Sequence, residues 1–195
     1  MVISTDQVKE LRDATGISVM LCKKALEEAG GNFDQALVIL RKKAGAGVAK
    51  KADRELGAGT VATYVHNTKE VAAMVLLSAE TDFVAKNEAF VALAYDIAMH
   101  VAATNPQFIR KSEVTPEATV AAEAVFAKEV EGKPEEMKAK ILAGKIDSYV
   151  KDFVLLEQPF IKDSSKTIAD LIAEAVQKFG ERIEVTKFVR FGVKS

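Results

Sequence analysis

The chain turns from strand to helix at Glu80-Thr81-Asp82-Phe83-Val84-Ala85-Lys86-Asn87, and its fold class depends on this turn. The preceding run, Met74-Val75-Leu76-Leu77, is apolar at every position, which predicts a central strand covered by helices. Asp82 and Phe83 therefore stand where the strand ends. An unpaired buried carboxylate is costly, and an exposed phenylalanine adds nothing to its own fold. The pair is thus typical of a surface offered to another molecule.

A second interpretation of the same turn is purely structural. In it, Phe83 folds back onto the protein core, and Asp82 or Asn87 caps the helix that follows. The local sequence leaves both interpretations open, because a strand-to-helix turn and a partner-binding turn use the same residue types.

Strand signals surround this turn. Along residues 61–66, two sets of side chains alternate, as they do in a strand. Asn67-Thr68-Lys69 then turns the chain, and residues 71–77 form the apolar strand that runs back. Near the C-terminus, four apolar side chains share one parity of an alternating run: Ile183, Val185, Val189 and Phe191. We expect a small three-stranded antiparallel sheet with helices segregated around it, which is an α+β fold.

Several helices are expected between these strands. The helix after Asn87 is predicted to bury four apolar side chains: Phe90, Leu93, Ile97 and Val101. Thr115-Pro116-Glu117 starts another helix, and Gly132-Lys133-Pro134 separates it from a third. This spacing predicts a protruding helical hairpin at about residues 116–152.

The N-terminal region carries three helix-start signals. Ser4 with Gln7 forms a capping box, and Ser18 and Asn32 are N-cap residues for a second and a third helix. We therefore divide the chain into a three-helix domain at residues 1–45, a glycine-rich, partly helical linker at 46–58 and an α+β core at 59–195.

The start of the second helix is richer in apolar residues than one buried face requires. Val19, Met20 and Leu21 lie beside Lys23 and Lys24. One interpretation is that Met20 and Leu21 complete the small core. The other is an apolar contact patch with lysines at its edge.

Composition limits the class of protein. Of the 195 residues, 27 are basic and 28 acidic, for a net charge of −1, so no charge excess favours nucleic acid or a membrane surface. The N-terminus lacks a signal peptide, and we expect a cytoplasmic protein. The single cysteine, Cys22, excludes an intrachain disulfide and is assigned to packing.

Acid–base catalysis is one alternative function. Asp82, His66 and His100 are the residues available for it. No nucleophile elbow and no metal-ligand spacing accompany them, so we predict a protein that is not an enzyme and needs no cofactor. His100 lies near the buried side of its helix, where it is either a hydrogen-bonded residue at the edge of the core or a contact group.

Two motifs in order resemble signatures of the translation elongation factor Ts family, the nucleotide-exchange factors of the GTPase elongation factor Tu. The first is Leu11-Arg12-Asp13-Ala14-Thr15-Gly16 followed by Cys22-Lys23-Lys24-Ala25-Leu26, and the second is residues 80–87. Further similarity occurs at residues 97–103, 132–134, 158–160 and 165–167, so the resemblance spans the chain. Two departures concern packing: Leu21 stands where the family commonly has Asp, and Leu77-Ser78-Ala79 replaces Leu-Asn-Cys.

The resemblance implies a mechanism and a set of site residues. The protein would bind elongation factor Tu and release GDP by disturbing the partner's Mg²⁺ site. The residues implied for this step are Thr81, Asp82, Phe83 and Val84. Docking of a ubiquitin-associated-type domain would use Arg12, Val19, Met20, Lys23 and Lys24. A more distant contact would use His100, Phe160 and Ile161.

The chain resembles the short form of the family, which implies a homodimer. An alternative function is a non-catalytic protein-interaction module of ubiquitin-associated type, in which the Thr81-Asp82-Phe83 turn is merely structural.

Overall fold

The computed structural model describes residues 3–131 and 134–193. It divides into two compact units. The first comprises Met1–Ala62, Leu76–Ala94 and Ala169–Val185, and the second comprises Thr63–Val75, Tyr95–Ile168 and Thr186–Ser195.

Three helices open the first unit: α1 (Thr5–Thr15), α2 (Val19–Glu28) and α3 (Phe33–Ala49). The predicted caps are confirmed. The Ser4 hydroxyl accepts the N–H of Gln7 while the Gln7 side chain accepts the N–H of Ser4, and Ser18 and Asn32 cap α2 and α3. Each cap satisfies N–H groups that have no partner inside the helix, and so fixes where the helix begins.

The three helices share one small core. Its buried members are Val8, Leu11, Ile17, Cys22, Ala25, Leu26, Ala29, Ala36 and Leu40, with Leu21, Phe33 and Leu37 partly buried against them. The helix α3 continues to Ala49, through Gly45 and Gly47. The division of the chain into residues 1–45, 46–58 and 59–195 stays a prediction.

Among the described residues, the remaining segments are five strands and five α-helices. In chain order they are β1 (Ala58–Val65), β2 (Val71–Ala79), α4 (Asp82–Ala85), α5 (Glu88–Thr104), α6 (Pro116–Glu129), α7 (Glu135–Lys151), β3 (Pro159–Phe160), β4 (Asp163–Thr167), α8 (Ile168–Phe179) and β5 (Ile183–Gly192). The main sheet has the strand order β1-β2-β5. The predicted α+β class with a small antiparallel sheet is confirmed.

Two features of the strands differ from the expected pattern. Ile183 and Val185 are buried, but Val189 and Phe191, on the same parity of β5, are exposed. The strands β3 and β4 pair antiparallel in a second, two-stranded sheet that the sequence pattern did not predict. On α5, Phe90, Ile97 and Val101 are buried as expected, whereas Leu93 is only half-buried.

The second unit contains the expected helical hairpin. Helices α6 and α7 pack on each other, with the rings of Phe126 and Tyr149 6.0 Å apart and Lys145 paired with Glu129 at 2.7 Å. Gly132 and Lys133 of the predicted joint lie outside the described residues. No helix within the described ranges is both long enough and apolar enough to cross a bilayer.

Candidate functional site

The turn after β2 presents one aromatic ring to solvent. Thr81 is the N-cap of the short helix α4, and its hydroxyl accepts the N–H of Val84 at 3.4 Å. Val84 and Ala85 are buried, whereas Phe83 is 82% exposed. The interpretation in which Phe83 folds back onto the core is therefore wrong, because the side chains that anchor the turn are those of Val84 and Ala85.

Asp82 lies beside Phe83 and is also exposed. Its carboxylate accepts a 2.7 Å bond from the Lys86 ammonium, which lowers the pKa of Asp82 below its ordinary value. An exposed ion pair of this kind contributes little to stability, so Asp82 is charged and available to a partner. Asn87, rather than Asp82, caps α5, since its side-chain oxygen accepts the N–H of Ala89 at 2.9 Å.

Long-range hydrogen bonds fix this turn within the first unit. The Glu181 carboxylate accepts the N–H groups of Glu80 and Thr81 at 3.1 and 3.0 Å, and the Thr81 hydroxyl at 2.6 Å. The Glu80 carboxylate accepts the N–H of Arg182 and a 3.1 Å bond from Arg54. These two partners lower the pKa of Glu80, the Arg182 N–H more than Arg54.

Sequence reasoning missed Glu181, Arg54 and Arg182. They follow a helix end or lie in the linker, so no periodicity or capping signal marks them. Their partners in the turn are separated from them by 26 to 102 residues.

The start of α2 offers a second exposed surface in the same unit. Val19 is 52% and Met20 66% exposed, and Lys23 and Lys24 are exposed next to them. Leu21 instead packs partly buried against the three-helix core. Each of the two interpretations therefore holds for one residue: Leu21 completes the core, whereas Met20 belongs to an exposed patch.

Arg12 and Cys22 lie close in sequence to this patch but differ in exposure. Arg12 is exposed on α1. Cys22 is fully buried, and burial raises the pKa of its thiol. The assignment of Cys22 to packing is confirmed, because a raised pKa disfavours the reactive thiolate.

His100, Phe160 and Ile161 lie in the second unit with very different exposure. His100 is fully buried, its Nε2 lies 2.9 Å from the Gln158 side-chain oxygen, and its ring is 6.1 Å from that of buried Phe160. Ile161 is exposed and lines a cavity of about 420 Å³ together with Tyr64, His66 and Arg190. Of the three predicted contact residues, Ile161 alone has the exposure that direct contact needs.

The side chains considered for acid–base catalysis each have another partner. Asp82 pairs with Lys86, and His66 Nδ1 lies 3.0 Å from the Tyr64 hydroxyl. His100 bonds Gln158 in the interior. Each of these contacts has a structural explanation that requires no catalytic role.

An exposed aromatic on an anchored turn and an exposed apolar helix start beside lysines are typical of proteins that act by binding another protein. Comparison with known proteins gives the family. The family model described as "Elongation factor TS" matches residues 24–195. The chain is 46% identical to elongation factor Ts of Thermodesulfovibrio yellowstonii over 99% of this chain and 97% of that protein.

Two further relatives agree. The chain is 47% identical to elongation factor Ts of Herpetosiphon aurantiacus over the full length of both proteins. It is 45% identical to elongation factor Ts of Thermosipho melanesiensis over 98% of each. The chain belongs to the elongation factor Ts family, a family of translation elongation factors, and the resemblance found in its motifs is confirmed.

Proposed function

We propose that this protein binds elongation factor Tu in its GDP form and accelerates GDP release, so that GTP can bind in its place. The observation that carries the proposal is Phe83, which is 82% exposed on a turn that buried Val84 and Ala85 hold in place. An exposed ring on a fixed support can displace parts of a partner, because the support does not yield first.

The proposed target is the partner's Mg²⁺ site. Phe83 enters beside the switch helices as a wedge, and Asp82 supplies a competing polar contact. Mg²⁺ requires nearly ideal octahedral geometry, so a small displacement of its ligands weakens its hold on the nucleotide phosphates. Thr81 and Val84 serve the same step indirectly, since one caps the turn and the other anchors it.

Docking is assigned to the three-helix domain, which resembles the ubiquitin-associated type. Val19 and Met20 form its exposed apolar contact. Three exposed cations, Arg12 on α1 and Lys23 and Lys24 on α2, are assigned to the edge of that contact and favour an acidic edge on the partner. This arrangement has the apolar centre and polar rim of a typical protein interface.

A second contact is proposed for Ile161, at the mouth of its cavity in the second unit. His100 and Phe160 support it, because both are buried, their rings lie 6.1 Å apart and Phe160 directly precedes Ile161 in the chain. In this proposal His100 and Phe160 determine where Ile161 lies, and Ile161 makes the contact with a more distant domain of the partner.

Linkage sets how such a factor must behave. If it weakens GDP binding by some factor, GDP weakens its binding to the GTPase by the same factor. A thousandfold faster release requires a barrier lower by about 4 kcal/mol. Burying one aromatic ring in the partner and disturbing one ion contact together supply a free energy of about that size.

A homodimer is also proposed, through the sheet face of the second unit. Five apolar side chains are exposed on its strands or directly after them: Val65, Met74, Val189, Phe191 and Val193. Apolar side chains grouped on neighbouring strands are typical of an interface. Action on elongation factor Tu implies a cytoplasmic protein that uses its partner's nucleotide site and needs no cofactor of its own.

The test is release of a fluorescent GDP from purified elongation factor Tu at saturating and limiting Mg²⁺. The intact protein should accelerate release, and Phe83→Ala with Asp82→Ala should lower the maximal rate by roughly 100-fold, since the wedge is lost. Met20→Ala is the matched variant. It should raise the half-saturating concentration and leave the maximal rate unchanged, because it alters docking alone.

No acceleration by the intact protein would contradict the exchange function. The exposed Val19 and Met20 would then favour the alternative, a protein-interaction module of ubiquitin-associated type. An unaltered maximal rate in the double variant would instead retain exchange and reject the wedge.

A further inference from the structure

The turn that carries Phe83 is tied to a segment far away in the sequence. The helix α8 ends at Phe179, and Gly180 follows with φ +75°, a conformation that favours glycine and reverses the chain. Glu181 comes next, and its carboxylate lies against the start of α4, 100 residues away in the sequence. The end of one helix thus supplies an acceptor to the beginning of another.

The Thr81 hydroxyl explains why this acceptor is a carboxylate. The hydroxyl has one hydrogen, and its oxygen already accepts the N–H of Val84 as the helix cap. That hydrogen is donated to Glu181 at 2.6 Å, while the other carboxylate oxygen accepts the N–H groups of Glu80 and Thr81. An ionised carboxylate is the side-chain group that can accept all three donors without carrying a hydrogen of its own.

We propose that Glu181 is a positioning residue for nucleotide exchange, which fixes the α4 turn so that Phe83 displaces the partner rather than yielding to it. This inference rests on the proposed exchange function. If the turn holds its productive position only part of the time, the apparent exchange activity falls to that fraction of its full value. Glu181 therefore acts on the rate through Phe83, without touching the partner itself.

A second set of contacts allows the role to be tested without unfolding the protein. The Glu80 carboxylate binds the N–H of Arg182 and the Arg54 guanidinium, and the Thr60 hydroxyl donates to the Ala85 carbonyl at 2.6 Å. These bonds do not involve the Glu181 carboxylate. Removing that carboxylate leaves the turn attached at both ends but free to shift at its cap.

The experiment uses the full chain with Glu181→Ala or Glu181→Gln and measures GDP release over a range of factor concentrations. We expect the maximal rate of the alanine variant to fall roughly tenfold, with the half-saturating concentration changed by less than about twofold. Glu181→Gln should cause a smaller loss than the alanine variant, because its amide oxygen can keep the N–H groups of Glu80 and Thr81 while its N–H₂ can no longer accept the Thr81 hydroxyl. Partial unfolding would produce the opposite pattern, a higher half-saturating concentration with an unchanged maximal rate.

Glu174→Ala is the matched control. It removes a carboxylate from α8 that pairs with Arg41 at 3.8 Å, and its maximal rate should equal that of the intact protein. In a Phe83→Ala background, Glu181→Ala should cause no further loss, since the residue through which it acts is gone.

Three results would overturn the inference. They are an unchanged maximal rate in Glu181→Ala, an equal loss in Glu174→Ala, and a full additional loss in the Phe83→Ala background. If the intact protein does not accelerate GDP release, the proposed function fails and this inference fails with it. If the intact protein accelerates GDP release and the Glu181 variants accelerate it equally well, this inference fails and the proposed function stands.

Discussion

The hydrogen bonds around buried His100, in the second unit, determine which of its two ring nitrogens carries the hydrogen. The Gln158 amide donates to the Asp152 carbonyl at 2.6 Å, which leaves its oxygen facing His100 Nε2 at 2.9 Å. That oxygen can only accept, so Nε2 carries the imidazole hydrogen. Nδ1 is then a bare acceptor, and among the described residues it has no hydrogen-bond partner.

This arrangement predicts a pH dependence of stability. Burial lowers the pKa of His100 below its ordinary value of about 6.5, an effect that its bond to Gln158 opposes in part. Between the lowered pKa and 6.5 the unfolded state binds more protons than the folded state. His100 therefore costs no stability above about pH 7 and weakens the fold as the pH falls below about 6.5.

Urea unfolding from pH 8 to pH 5 measures this effect. His100→Gln should flatten the part of the pH profile that lies below about pH 6.5, because the buried imidazole is removed. Equal slopes for the intact protein and His100→Gln would show that His100 does not titrate during unfolding.

Aromatic residues mark the limit of prediction at this scale. Phe83 and Phe160 both follow a polar or turn residue, yet Phe83 is exposed and Phe160 is buried. A local window cannot distinguish them, because exposure depends on which segments pack over the ring. The motif containing Phe83 marked this turn as a candidate site, and the structure showed that the Phe83 ring does not fold back onto the core.

The helix α3 is longer than its glycines favour. Gly45 and Gly47 lie in its C-terminal half, where glycine weakens a helix relative to alanine. A Cβ added at either position would meet no atom within 4 Å outside the local helix. We predict that Gly45→Ala and Gly47→Ala each raise the free energy of unfolding by about 0.5 to 1 kcal/mol in urea titrations.

Gly16 is the opposing control for this prediction. Its φ is +68°, and an added Cβ would lie 3.0 Å from Cε of Lys178. Gly16→Ala should therefore lower the free energy of unfolding by about 1 kcal/mol. A loss of stability in the two α3 variants would mean that Gly45 and Gly47 have a role beyond helix propensity.

Helix starts were the most predictable elements, because capping is local. Ser4, Ser18 and Asn32 each bond a backbone N–H within three residues, so the signal is complete in a short window. The β3–β4 pair was missed because Asp163–Thr167 is polar and does not alternate.

At the scale of the whole molecule, the contacts that matter most join distant parts of the chain. The strand β5 illustrates why sequence alone could not give them. Its apolar alternation is regular, yet Ile183 and Val185 are buried while Val189 and Phe191 are exposed. Farther along, Phe188 and Arg190 are the half-buried residues, so the parity that is covered changes within β5, and an alternating pattern alone does not reveal that change.

The exposed apolar side chains near the end of β5 lead to the prediction of a dimer. Phe191 is 69% exposed, and Val193, just past the strand, donates its N–H to the Glu70 carbonyl at 2.9 Å. A charge on this face would have to be buried in the interface without a partner, so Phe191→Glu should convert the dimer to a monomer in sedimentation velocity experiments. Phe83→Ala alters an even more exposed ring on the first unit and should remain dimeric. A monomeric intact protein, or a dimer that survives Phe191→Glu, would show that this sheet face is not the interface.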